Sequence, residues 1–159
     1  MSKEVLIELL KEYKQNRAKL NIKLKELKLK RIQFKNCEEA DTSLTSSFGI
    51  NQDIHSKNQI SDKVFKRVEQ NDDRRRQLQK EIEDLEKIVK ELREKVEAVE
   101  DRLIGLKYKE RELLVAYYID GRTAENISRT LYYDMYQRTC TPRYVQKIIE
   151  RATKRMINI

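Results

Sequence analysis

Thirteen positions between residues 64 and 106 follow one another in alternating steps of four and three without a slip. They are Val64, Val68, Asn71, Arg75, Leu78, Ile82, Leu85, Val89, Leu92, Val96, Val99, Leu103 and Leu106, and only Asn71 and Arg75 among them are polar. A seven-residue apolar repeat held over six heptads commits the segment from about Ser61 to Leu106 to a helix of a left-handed coiled coil. Such a stripe cannot be buried by its own helix, so it requires a partner. The rest of the composition agrees with long helices: charged residues make up 39%, with only 3 Gly and 1 Pro in 159 residues to make turns. The expected fold class is all-α, a long coiled-coil helical hairpin followed by a small helix-turn-helix domain.

The nearest candidate partner is the first segment, Lys3 to about Glu38. Leu6, Tyr13, Leu20, Leu27 and Phe34 recur every seven residues, with Leu10 and Leu24 in companion positions. Arg17 and Arg31 fill two further companion positions, where long stems can lie over an apolar stripe while the charge stays in water. Ser61, with Val64 and Phe65 beyond it, reads as the start of the second helix. The connection at 39–60 is rich in Ser, Thr and Asn and longer than a helical hairpin needs, and Leu44, Phe48 and Ile50 are candidates to pack over the hairpin end. Two partners stay open: the first helix folded back antiparallel, or a second subunit. The first helix is expected to be the shorter, which would leave part of the second seam for a homodimer.

The formal charge is +8 and unevenly spread. Residues 1–38 carry 11 Lys/Arg against 5 Asp/Glu, residues 60–106 carry 12 against 13, and residues 107–159 carry 11 against 6. Two basic ends around a neutral middle make a polyanionic partner permissible, and the C-terminal helices are what make double-stranded DNA the expected one. Cys37 and Cys140 stand in no metal-ligand spacing and His55 is the single histidine, so no metal, cofactor or disulfide is expected and the cysteines read as free thiols. No Gly-rich phosphate cradle and no paired nucleophile and base appear, so the chain is not expected to be an enzyme. The N-terminus is too charged for a signal peptide and no window approaches a membrane span. A cytoplasmic protein with no membrane partner is the expectation.

Texture changes at residue 107. Seven of the 8 tyrosines lie in the last 53 residues, which marks 107–159 as a small domain after the long helices of 1–106. KYKERELLVAYYIDGRT predicts a helix ending at Ile119, with Leu113, Leu114, Tyr117 and Tyr118 inward and Asp120-Gly121 as its stop. Thr123 is placed to cap a short helix whose apolar side is Ala124, Ile127 and Leu131, and Glu125 sits in its first turn. Thr141-Pro142 predicts the start of a third helix, since proline at the first helical position costs no backbone hydrogen bond. Val145, Ile148, Ile149, Ala152 and Met156 form its inner stripe. Arg143, Gln146, Lys147, Arg151, Lys154 and Arg155 lie mostly on its other sides and are the candidate DNA-binding residues. The first three suit base edges, and Lys154 and Arg155, three turns in, suit phosphates. A basic amphipathic helix is also what the solvated side of a small bundle looks like. The linked Gly stop, Thr cap and Thr-Pro start favour the reading helix.

Those residues carry a resemblance. ERELLVAYYIDGRTAENISRTL followed by PRYVQKIIERATKR resembles the fourth region of bacterial sigma factors, and more closely the C-terminal domains of phage late-transcription regulators of the RinA/ArpU type. Tyr117, Tyr118, Asp120 and Gly121 match the tyrosine-bearing helix and its acidic-Gly stop. Thr123, Glu125, Ile127 and Leu131 match the first motif helix, and Val145, Arg151 and Ala152 match the recognition helix. The resemblance covers about 50 residues and implies a sequence-specific DNA-binding transcriptional regulator of phage or mobile-element origin. RNA polymerase, or another protein held through the coiled coil, is then a further partner. The chain departs from the family at residues 132–140, where YYDMYQRTC replaces a short Gly-containing turn. Either the first motif helix continues, with Tyr132 or Tyr133 and Tyr136 packing inward, or an extra short helix lies there, and both would change the angle of the third helix. Two other function classes fit parts of the chain: a small-terminase-like phage DNA-packaging protein, and a coiled-coil adaptor without DNA binding.

Overall fold

The computed structural model describes the backbone of residues 2–46 and 57–158, and the side chains of residues 2–37, 66 and 68–158. Most of the described residues are helical and none lies in a strand, so the fold is all-α. Helix α1 spans Lys3–Ser46 and α2 spans Lys57–Ile104. Both reach further into the expected 39–60 connection than the sequence suggests. Ser61 therefore lies inside α2 rather than at its start, because nothing between Lys57 and Ser61 breaks a helix. The two helices are nearly equal, at 44 and 48 residues. Leu44, Phe48, Ile50, His55, Val64 and Phe65 have no described side chain.

The chain divides into two compact units, residues 21–90 and residues 1–20 with 91–159. In the first, α1 and α2 run antiparallel. Lys30 meets Glu81 at 2.6 Å, Arg31 meets Glu86 at 2.7 Å, and the Arg75 guanidinium lies 5.7 Å from the centre of the Phe34 ring. Leu27, Leu78, Leu85 and Val89 are buried along this seam, while Val68 is exposed. The bond from Lys30 holds the Glu81 carboxyl below its ordinary range.

In the second unit α1 and α2 are again antiparallel, with the Tyr13 hydroxyl donating to Glu100 Oε1 at 2.6 Å. Here the seam of α1 departs from the expected spacing. Asn16 is the buried residue, whereas Arg17 turns outward, with its guanidinium 5.9 Å from the centre of the Tyr13 ring and Nη1 donating to the Tyr13 hydroxyl. A shorter side chain in the seam lets the backbones approach, and the charge stays in water.

Four further helices complete this unit: α3 at Tyr108–Leu114, α4 at Ala124–Arg129, α5 at Leu131–Tyr136 and α6 at Pro142–Asn158. Helix α3 runs straight into a π-helical turn, Val115–Ile119, closed by the Asp120 N–H on the Val115 carbonyl at 2.9 Å. Gly121 then takes a left-handed φ of +68°, which an L side chain rarely adopts, and ends the helix. Helix α3 and the π-helical turn together serve two cores. Leu114 packs with Leu6, Leu10, Val99, Leu103, Leu106, Ala152 and Met156, whereas Leu113 and Ala116 pack with Ala124, Ile127, Tyr132, Val145 and Ile149. Helix α6 joins the same two cores from its own buried stripe. The sequence drew a boundary at 106/107, but packing joins the last turns of α2 and the first turns of α1 to the C-terminal helices.

Candidate nucleic-acid interface

Local chemistry fixes where α4 and α6 begin. The Asn126 N–H donates to Thr123 Oγ1 at 3.2 Å, with Thr123 extended at φ −74°, ψ 152°, as an N-cap requires. Ile127 is fully buried and Ala124 nearly so. Glu125 occupies the first turn of α4 and pairs with Arg129 at 2.6 Å. At α6 the Tyr144 N–H reaches Thr141 Oγ1 at 3.3 Å and the Thr141 carbonyl at 2.9 Å, with Pro142 first in the helix.

The 17 residues of α6 then sort cleanly. Val145, Ile149, Ala152 and Met156 are buried, and Ile148 is half-buried. Thr153, which the apolar pattern passes over, is fully buried too, and its hydroxyl donates to the Ile149 carbonyl at 2.8 Å. That bond inside the helix lets a polar residue enter the core at little cost. Thr153 also reaches the Tyr118 hydroxyl, whose pKa is raised mainly by burial, against the lowering effect of that bond.

All six candidate residues are exposed. Arg143, Lys147, Arg151 and Lys154 stand at steps of four, four and three along α6, which aligns them on the side opposite the buried stripe. None of the four has a carboxylate within 4 Å among the described residues. Gln146 is exposed beside them. Arg155 stands apart: its Nη1 donates to Glu110 Oε1 at 2.6 Å and Oε2 at 2.8 Å, which ties α6 to α3. Glu150 falls within the cationic row, one turn from Lys147 and from Lys154, and offsets part of its charge.

The 132–140 stretch resolves into the second of its two alternatives. Thr130, at φ −108° and ψ −87°, breaks the chain out of α4, and α5 begins at once as a separate helix. Tyr132 is buried and stacks on Tyr136 with ring centres 4.4 Å apart and planes 17° from parallel. Tyr144 of α6 meets Tyr132 edge-on at 6.2 Å, and Lys109 Nζ sits 4.0 Å over the Tyr136 ring. Tyr133 alone of the three tyrosines of α5 is exposed. Helix α5 rests on α3 and α4 and leaves α4 and α6 packed directly on each other. Gln137 ends it at φ 52°, so a left-handed residue stands in this turn although no glycine is present.

No protein-family model matches the chain, and neither a curated protein nor a solved structure is detectably similar to it. No helix among the described residues is long and apolar enough to cross a membrane.

Proposed function

We propose that the protein is a sequence-specific DNA-binding transcriptional regulator of the cytoplasm, with α6 as its reading helix. The observation that carries this reading is the row Arg143, Lys147, Arg151 and Lys154, exposed, free of carboxylate partners among the described residues, and directly opposite a fully buried stripe. An α-helix fits the major groove, and guanidinium and ammonium groups near its start donate to guanine while those further on meet phosphates. The capped helix α4 packed beneath α6 supports a helix-turn-helix, and the likeness of these residues to phage late-transcription regulators of the RinA/ArpU type supports the regulatory role. Arg155 is assigned a weaker part than the other five, since it is already held by Glu110.

The test is selection of bound fragments from a genomic duplex library by the full chain, followed by titration of the selected site at several salt concentrations. Binding that weakens steeply with salt, and that fails when Arg143, Gln146 and Lys147 are together changed to Ala, is the expected result. Salt-dependent binding untouched by that triple change would remove α6 as the reader. Absence of DNA binding would end the regulator reading in favour of an adaptor, and a ring of many subunits would redirect it to DNA packaging.

A further inference from the structure

Within the unit formed by residues 21–90, α1 has a second apolar line that its pairing with α2 does not use. Ile22, Leu29 and Ile32 are 62%, 61% and 47% exposed. With Lys25 they follow steps of three, four and three, so they share one face. The buried Leu27 and half-buried Leu24 and Phe34 lie on the opposite side of the helix, against α2. A helix needs one such face to join its partner. The second face is spaced as the anchors of a helix-on-helix contact are spaced.

Charge narrows the occupant. Residues 21–37 carry six cations, Lys23, Lys25, Lys28, Lys30, Arg31 and Lys35, against one acid, Glu26. Lys23 pairs with Glu26, Lys30 with Glu81 and Arg31 with Glu86. Lys25 and Lys28 are exposed beside the apolar line with no carboxylate within 4 Å among the described residues. A second copy fits poorly. Its α1 would bring the same lysines against these, and among the described residues α2 exposes only Val68, Ile88 and Ile104 as large apolar side chains, too far apart along the helix to form a line that meets Ile22 and Leu29. DNA would leave three large apolar side chains uncovered.

We infer that the outer face of α1 over residues 22–32 docks an acidic amphipathic helix of a different protein, with Ile22, Leu29 and Ile32 as anchors and Lys25 and Lys28 pairing with its carboxylates. The inference does not rest on DNA binding by α6, and the residues involved are separate.

The test titrates full-length protein into a labelled helical peptide carrying Leu at heptad seam positions and Glu at the flanking ones. A Lys-flanked peptide and a Ser-seam peptide serve as controls. Ile22 and Leu29 are both changed to Gln, which keeps helix propensity on an exposed face, and circular dichroism checks the fold. The expected result is binding of the acidic peptide alone, weakened roughly tenfold or more in the double variant and by salt. Equal binding of the Lys-flanked peptide, or an unchanged affinity in the variant, overturns the inference. So does a wild-type dimer in sedimentation that the double variant loses, which would assign the face to a second copy. Duplex DNA binding that falls on changing Lys25 and Lys28 to Gln, but not on changing Ile22 and Leu29, would assign the face to nucleic acid instead.

Discussion

Arg155 reaches both carboxylate oxygens of Glu110 from a single nitrogen, at 2.6 and 2.8 Å, and so ties to the fold a charge otherwise counted among the candidate DNA-binding residues. Glu110 is the more enclosed partner, its side chain 17% exposed against 55% for Arg155. Changing Arg155 to Ala should cost about 0.2–1 kcal/mol of stability, the range of ion pairs open to solvent. The same change should weaken DNA binding less than changing Arg143 or Lys147. Urea unfolding and site titration of the same variant check both halves. A DNA loss as large as that of Lys147→Ala would show that the pair opens on binding.

Glu150 gives the cationic row of α6 an internal control. It is exposed one turn from Lys147 and from Lys154, and with α6 as the proposed reading helix it would face the same phosphates. Glu150→Gln should therefore tighten binding to unrelated duplex by roughly a few-fold at low salt, with the gain fading as salt rises. A loss of affinity confined to the selected site would instead make Glu150 an acceptor for a cytosine amino group.

How much of this was legible beforehand depended on whether the signal was local. Thr123, Gly121 and the Thr141-Pro142 start acted where the sequence placed them, because a cap or a left-handed stop is decided within four residues. The heptad of α2 was equally plain from Leu78 onward, as Leu78, Leu85, Val89 and Val96 are all buried, whereas Val68 before it is exposed. Asn16 was not legible, since choosing it over Arg17 depends on how closely α1 and α2 approach. Thr153 was missed because its burial relies on a bond to the Ile149 carbonyl that no apolar pattern encodes. The sharing of Leu114 and Met156 with Leu6 and Leu10 brings together residues more than a hundred positions apart, beyond any local signal. Within the candidate site, exposure and alignment followed from helical period, whereas the capture of Arg155 by Glu110 depended on where α3 packs.

Four tyrosines set an alkaline limit on stability. Burial raises the pKa of Tyr132, Tyr136, Tyr118 and Tyr13 above the ordinary 10.0, and a hydrogen bond to Glu100 adds to the rise at Tyr13. Above pH 10 the unfolded chain gives up these protons while the folded chain keeps them, so unfolding is drawn forward as pH rises. The stabilisation is complete below pH 10 and is lost as pH passes through the raised values. Tyrosinate absorbance should accordingly show at least two phases, with the later one coinciding with loss of helix. A single phase at the ordinary value would mean the Tyr132–Tyr136 stack is open to water.

Gln137 is the most direct test of the left-handed turn that ends α5. Its φ of 52° lies in the left-handed region, where a side chain costs about 1 kcal/mol and glycine costs little. What holds it there is partly its own side chain, whose Nε2 donates to the Asp134 carbonyl at 3.1 Å. That bond is exposed and therefore worth less than the strain it accompanies. Gln137→Gly should stabilise the protein by roughly 0.5 kcal/mol, even after the greater freedom of glycine in the unfolded chain is counted. Gln137→Val should destabilise it by more than 1 kcal/mol, as a branched β-carbon is poorly tolerated there. Thermal unfolding of the two variants measures the sign directly. If glycine destabilises, then the Asp134 contact, and not relief of strain, governs how α5 hands the chain to Thr141.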